Sequence, residues 1–291
     1  MTGPVLRPAT PDDAAAVTGL VNDHAVSLGL PPDVTAEHIA AWIAGDNVTA
    51  LVAEEDGALA GFGDLYPRGD VVRASATGPA ADVLLDALEP LAARRGKTAR
   101  IVVHEADPQR DVLAARGYRA IRDSYDMGIE LDGVLGEPAW PDGVSVRAAR
   151  DEDRRAFYRV QEEAFRDHWG YEPRTYEEWS HLYGEVRPFD PALWLLAEAD
   201  DEPAGIAINE RGVEGDPETG WIHVVAVRRS WRGRGLGTAL LRWSFRALAA
   251  LGMQRAALSV DAENTTGAVA LYERAGMRVE ARFETWDKSL T

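Results

Sequence analysis

The residues of this chain with the plainest chemical meaning are Arg232-Gly233-Arg234-Gly235-Leu236-Gly237. They stand between an apolar run, Val224-Val225-Ala226-Val227, and Thr238-Ala239-Leu240-Leu241. That order predicts a buried strand, a turn and the opening of a helix. Glycine lets the backbone come close to a ligand, a helix start leaves N–H groups unpaired, and the helix dipole favours negative charge there. The turn is therefore suited to a phosphate or pyrophosphate, and Arg232 and Arg234 add positive charge beside the amides. Spacing separates the candidate loops. A P-loop needs a lysine after the glycines, and none follows. A dinucleotide fingerprint needs G-x-G-x-x-G directly after a strand. Here the glycines read G-x-G-x-G and follow Arg228-Arg229-Ser230-Trp231, although Asp261 stands near the place of the acid that such a fingerprint requires.

The remaining pattern is R-x-x-G-x-G, met by Arg232, Gly235 and Gly237. After it the periodicity predicts a helix from about Thr238 to Leu251, with Leu241, Phe245 and Leu248 on one face and Gly252 as its stop, then a strand Ala256–Val260. Asn264 comes next, followed by Ala268-Val269-Ala270-Leu271-Tyr272-Glu273-Arg274-Ala275-Gly276-Met277. The pair of signatures resembles the acyl-CoA pyrophosphate loop and the asparagine-plus-helix motif of the GCN5-related N-acetyltransferases. That resemblance implies acetyl-CoA as co-substrate and direct transfer of its acetyl group to a primary amine. It implies a pyrophosphate held at Arg232, Gly233, Arg234, Gly235, Leu236, Gly237 and Thr238. It also implies a pantetheine arm along Val225, Ala226 and Val227 and near Asn264.

Tyr272 is the candidate partner of the departing sulfur, since the resemblance sets it near that atom and a phenol can donate to a thiolate. In the strand before the loop, Trp221, His223, Val225 and Val227 alternate onto one face. Many family members carry a glutamate base where this chain has Trp221. His223, two residues on, matches a histidine of the arylalkylamine N-acetyltransferases and is the candidate base. Its rivals are Glu198, Glu210 and Glu218, or a role for His223 in the core. A non-catalytic acyl-CoA-binding sensor or scaffold would need the loop but neither Tyr272 nor a base, and a Rossmann-type dehydrogenase would bind a nicotinamide cofactor and not acyl-CoA.

Internal repeats set the domain organisation. Val5-Leu6-Arg7-Pro8-Ala9-Thr10-Pro11-Asp12-Asp13 returns as Ser145-Val146-Arg147-Ala148-Ala149-Arg150-Asp151-Glu152-Asp153, and Leu51-Val52-Ala53-Glu54 with Gly61 returns as Leu195-Leu196-Ala197-Glu198 with Gly205. Ala115-Arg116-Gly117-Tyr118 answers Arg274-Ala275-Gly276-Met277. The expected fold is α/β, with two tandem domains of this acetyltransferase type, each a mostly antiparallel twisted sheet flanked by helices. They span 1–133 and 144–291 and are joined by a Gly/Pro-rich link at 134–143. In the first copy the loop reads Ala74-Ser75-Ala76-Thr77-Gly78-Pro79-Ala80-Ala81, with no arginine and with a proline that removes an amide. Leu113 falls opposite Tyr272 and Asp107 opposite Asn264, so the first copy reads as degenerate and the second as catalytic.

Composition bounds the partners. In 291 residues, 46% hydrophobic content can supply a core for each domain. No cysteine is present, no long apolar run interrupts the chain, and nothing at its start reads as a signal, which predicts a cytoplasmic protein. A formal net charge of −17 argues against nucleic acid or an anionic membrane as partner. The six histidines show no metal-ligand spacing, so no metal is expected. The acceptor is expected to be a small-molecule amine. Phe165, His168, Trp169, Tyr171, Tyr176, Trp179, Tyr183, Phe189 and Trp194 are candidates for its aromatic walls or for plain core. Glu162, Glu163, Glu172 and Glu177 in the same stretch are candidates for amine recognition.

Overall fold

Each half of the chain repeats one order of elements. In a computed structural model, which describes residues 3–32, 34–133, 136–186, 189–212 and 216–290, the first half runs β1 (Val5–Pro8), α1 (Ala14–Ser27), α2 (Ala36–Ile43), β2 (Thr49–Glu55), β3 (Ala58–Arg68), β4 (Val71–Thr77), α3 (Ala81–Ala92), β5 (Thr98–His104), α4 (Gln109–Ala115) and β6 (Arg119–Glu130). The second half runs β7 (Val144–Ala148), α5 (Arg154–Phe165), α6 (Tyr176–His181), β8 (Trp194–Ala199), β9 (Glu202–Glu210), β10 (Thr219–Val227), α7 (Leu236–Ala250), β11 (Arg255–Asp261), α8 (Ala268–Arg274) and β12 (Arg278–Ser289). Val134 and Leu135 of the expected link lie outside the described residues. Among the described residues no helix is long and apolar enough to cross a membrane.

Two compact units result, Met1–Ser124 with Glu214–Asp216 and Ala281–Thr291, and Tyr125–Val213 with Pro217–Glu280. The first orders its strands β1-β2-β3-β4-β5-β12 and the second β6-β11-β10-β9-β8-β7. The last strand of each unit thus comes from the other copy. In the first, β12 runs antiparallel to β5 from Phe283 opposite His104 to Ser289 opposite Thr98. In the second, the amide of Leu131, just after β6, donates to the Gln254 carbonyl at 2.8 Å, and Ser259 of β11 donates to Asp126 of β6. A cut at 134–143 assigns residues 125–133 and 281–291 to the opposite copies.

Each unit's sheet is mixed, with parallel pairs where α3 and α7 cross over, and this is the α/β architecture that the resemblance implies and the repeats duplicate. A doubly wound dinucleotide-binding sheet would be parallel throughout this region, whereas β10 runs antiparallel to β9. In the second unit Ile222, Val224 and Ala226 join the core that buries Phe157 and Val160 of α5, and Val225 and Val227 pack with Leu236 and Leu240 of α7. A Cβ at Gly205 would lie 3.0 Å from both the Ala226 carbonyl oxygen and a Leu240 methyl, so glycine is what lets α7 press on β9. Gly61 does the same under α3, where a Cβ would lie 2.8 Å from Leu84.

The repeated arginine and acids form one device twice. Arg7 binds Asp13 at 2.7 Å and Glu54 at 2.6 Å, and Arg147 binds Asp153 at 2.6 Å and Glu198 at 2.9 Å, tying the first strand of each unit to its neighbour and to the start of its helix. Asp153 also accepts the Arg150 amide at 2.7 Å. The Arg147 guanidinium, above all, holds the Asp153 carboxyl below its ordinary range. A carboxylate depressed in the folded state stabilises the fold above its unfolded pKa, and this is lost as pH falls through the folded value. Asp153→Asn is therefore expected to lower the urea midpoint at neutral pH by an equivalent of about 1–2 kcal/mol with an unchanged m-value. The deficit should shrink below about pH 4. Equal midpoints at neutral pH would remove the triad from the account of stability.

Candidate active site

The chain makes its tight turn between β10 and α7 as the glycines require. After a single 3-10 turn at Arg229–Trp231, Gly233 and Gly235 take φ of +74° and +89°, and the helix opens at Leu236. Nothing lies within 4 Å of a Cβ at either position, so glycine is needed there for its backbone conformation and not for room. The first helical hydrogen bond runs from the Ala239 amide to the Gly235 carbonyl at 3.1 Å. The amides of Leu236, Gly237 and Thr238 precede it, and no side chain caps this end. Arg232 donates to the Ala164 carbonyl at 3.0 Å and to the Val227 carbonyl at 3.3 Å, so its guanidinium is fixed by neutral backbone and keeps its charge. Arg234 lies 4.5 Å over the Trp231 ring.

Beside this turn the sheet opens. β10 and β11 pair in parallel only through Thr219–Trp221 and Arg255–Ala257, and beyond that their continuations form the walls of a pocket of 260 Å³. Val225, Ala226 and Val227 line one wall and Leu258, Val260 and Asp261 the other. Arg232, Gly233 and Gly237 lie at the loop end, with Asn264 and Tyr272 beyond β11. Arg234, Gly235, Leu236 and Thr238 belong to the same turn but are not among the lining residues. The Asn264 side-chain oxygen accepts the Thr266 amide at 2.7 Å as well as its hydroxyl, so it shapes its own loop, and α8 begins after Gly267. Burial pushes the Tyr272 phenol up to about 12, and no described residue hydrogen-bonds its hydroxyl.

At the other end of the pocket the register of β9 and β10 shifts by one residue. Ile222 opposes Asn209 and Val224 opposes Ile208, leaving His223 as the extra residue of a bulge. Bulges re-aim a side chain out of the ladder. His223 lines the pocket at 14% exposure, and its Nε2 lies 2.6 Å from a Glu210 carboxylate oxygen. The Trp221 ring stands 6.5 Å from the imidazole. In sequence Glu210 is a rival of His223, whereas the fold makes the two one unit. Only the register of β9 against β10 carries that signal. Glu198 is taken by Arg147, and Glu218 lies outside the pocket, where its carbonyl accepts the Gln254 amide at 2.9 Å.

The aromatic stretch divides. Trp179 and Trp194 are fully buried and pack with Phe157, Tyr158, Tyr183 and Phe189 at ring separations of 5.0 to 6.2 Å. Trp179 donates to Gln161 at 2.9 Å inside that cluster. These rings are core, as their number and spacing along one unit's interior require. Of the stretch only Phe165 and His168 line the pocket, their rings 4.5 Å apart, and burial lowers the His168 pKa. Of the acids, Glu162 holds Tyr171 and Glu163 holds Arg228 at 2.8 Å.

The first unit treats the corresponding place differently. There the Ala76 carbonyl, on the strand equivalent to β10, accepts the Gln109 side chain at 2.7 Å. Asp107, opposite Asn264 in the repeat, is 6% exposed, accepts the Gln109 amide at 2.8 Å and meets His24 at 2.9 Å.

Comparison with known proteins agrees with this geometry. Residues 154–277 match the Acetyltransferase (GNAT) family. A mycothiol acetyltransferase of Geodermatophilus obscurus is 33% identical over 256 residues, covering 82% of each chain. The crystal structure of a GCN5-related N-acetyltransferase from Sphaerobacter thermophilus superposes with a TM-score of 0.84 at 30% identity, over 99% of this chain and 96% of that one. A tandem GNAT protein from the clavulanic acid biosynthesis pathway shares the fold, with a TM-score of 0.73 at 17% identity over 99% of both chains. The loop, the opened sheet and these matches together make the chain a member of the GCN5-related N-acetyltransferase family, and an N-acetyltransferase.

Proposed function

We propose that the second unit transfers the acetyl group of acetyl-CoA directly to the primary amine of a small molecule. The observation that carries this reading is a single pocket with uncapped amides and the backbone-fixed Arg232 at one end and the His223–Glu210 pair at the other. An anionic pyrophosphate suits the first end. The pantetheine arm would run along Val225–Val227, adding its amides to a strand edge as an extended peptide does. The thioester would then reach the region of Tyr272 and His223.

In the reaction the amine lone pair attacks the thioester carbonyl carbon, a tetrahedral oxyanion forms, and the C–S bond breaks to release the thiolate. His223 takes the proton the amine must lose, with Glu210 orienting its imidazole. A free thiol ionises near 8.5, so moving the whole proton from a phenol at about 12 to the thiolate runs uphill. The raised value therefore favours Tyr272 as a hydrogen-bond donor to the departing sulfur. The relatives named mycothiol acetyltransferase support a mycothiol-related amine among the acceptors to test first. The first unit, with its strand carbonyl taken by Gln109 and no arginine-glycine turn, is read as a degenerate copy without a donor site.

Calorimetric titration with acetyl-CoA is expected to give one site per chain, lost when Arg232→Ala and Gly235→Ala are combined. No binding would overturn the reading of the second unit, and two sites would overturn that of the first. With an acceptor in hand, Tyr272→Phe is expected to lower kcat by about 10- to 100-fold with little change in KM for acetyl-CoA, as loss of one charge-assisted hydrogen bond predicts. An unchanged kcat would strip Tyr272 of its role. His223→Gln should cost about 100-fold in kcat and Glu210→Gln less, and the double variant should match His223→Gln alone, because Glu210 acts through the imidazole. Additive losses would show that the two residues act separately.

A further inference from the structure

Outside the pocket the second unit has another hollow, of 670 Å³, built against α5. Arg159, Glu162 and Glu163 border it from α5, Arg166 from the cap just after that helix, Arg174 from the loop before α6, and Arg229 from the turn after β10. Its acids are already engaged. Glu163 binds Arg228 at 2.8 Å and accepts the Arg229 amide at 3.2 Å, and Glu162 accepts the Tyr171 hydroxyl. The Arg229 guanidinium is paired with Asp167. Arg159, Arg166 and Arg174 make no ion pair among the described residues. Glu162 keeps its charge, since its partner is a neutral phenol, so three guanidiniums without an ion-pair partner border the hollow against one carboxylate without one, and the excess positive charge suits a ligand that brings negative charge.

The position of the hollow selects the ligand. Glu163 and Arg229 tie it to the turn that opens into Arg232 and Gly233, whereas His223 stands at the opposite end of the pocket. An anion here therefore belongs to the distal end of the donor and not to the amine. We infer that Arg159, Arg166 and Arg174 form a subsite for the 3′-phosphate of the donor nucleotide, which rests on the proposal that acetyl-CoA is the donor. The guanidinium fork matches a phosphate dianion. Arg159 and Arg166 are exposed and Arg174 is half-buried, so the contribution should fall with added salt.

The test is titration of the full chain with acetyl-CoA and with acetyl-dephospho-CoA, for the native protein and for the combined variant Arg159→Gln, Arg166→Gln, Arg174→Gln. The native protein is expected to prefer acetyl-CoA by about tenfold, and the variant to lose that preference while binding acetyl-dephospho-CoA as the native protein does. A native protein that binds both donors equally would overturn the subsite. So would a variant that keeps the preference, or one that weakens equally toward both. A native protein that binds neither donor would overturn the donor assignment itself, and the subsite with it.

Discussion

Two adjacent parallel strands that stop pairing partway are the constraint on which the rest of the second unit depends. From Ile222 onward β10 keeps its antiparallel partner β9 on one edge and loses β11 on the other. A backbone donor or acceptor left unmatched in a buried place costs about 1–3 kcal/mol, so an opening of this kind persists only where the surrounding packing enforces it. The packing is plain. Ile222, Val224 and Ala226 are locked into the core beneath α5, while Gly205 lets α7 close on the other face. Held on both faces, β10 cannot swing across to rejoin β11, and its free edge lines the pocket.

The bulge at His223 and the turn at Arg232 stand at the two ends of that pocket. At one end the extra residue takes the imidazole out of the ladder and beside Glu210. At the other, the strand ends in a turn that opens α7 with no side-chain cap and whose Arg232 is braced by the carbonyls of Val227 and Ala164. The same frame in the first unit, with β4 and β5 paired only through Val71–Arg73 and Thr98–Arg100, is met at Ala76 by the side chain of Gln109. Gln109 donates to the Ala76 carbonyl there, while Asp107 accepts the Gln109 amide just as Asn264 accepts that of Thr266.

Much of this was legible in the sequence, for physical reasons. Glycines at fixed offsets after an apolar run can only be a turn with special backbone angles, and Gly233 and Gly235 adopt them. The repeated arginine and acids marked a shared frame because each copy ties its first strand to its helix through the same triad. The pairing of His223 with Glu210 was not legible, since it depends on a register that slips by one residue. Nor was the fate of Trp179 and Trp194, because aromatic density alone does not tell a core from a pocket wall. The exchange of final strands was also hidden. β6 and β12 have strand patterns, but nothing in a pattern of period two says which sheet receives it.

That exchange has a consequence for how the chain is made. Translation delivers β1 through β5 early, yet their sheet ends at β5 until Ala281–Ser289 emerges, after every other strand has been synthesised. During that interval the first unit presents an unpaired edge at β5, bordered by the apolar side chains of Ile101 and Val103 whose neighbour Trp286 has yet to arrive. Of the two units, the one whose strands are made earlier is thus the later to be closed. A ribosome paused before residue 281 holds a chain whose second unit has all its strands while its first does not.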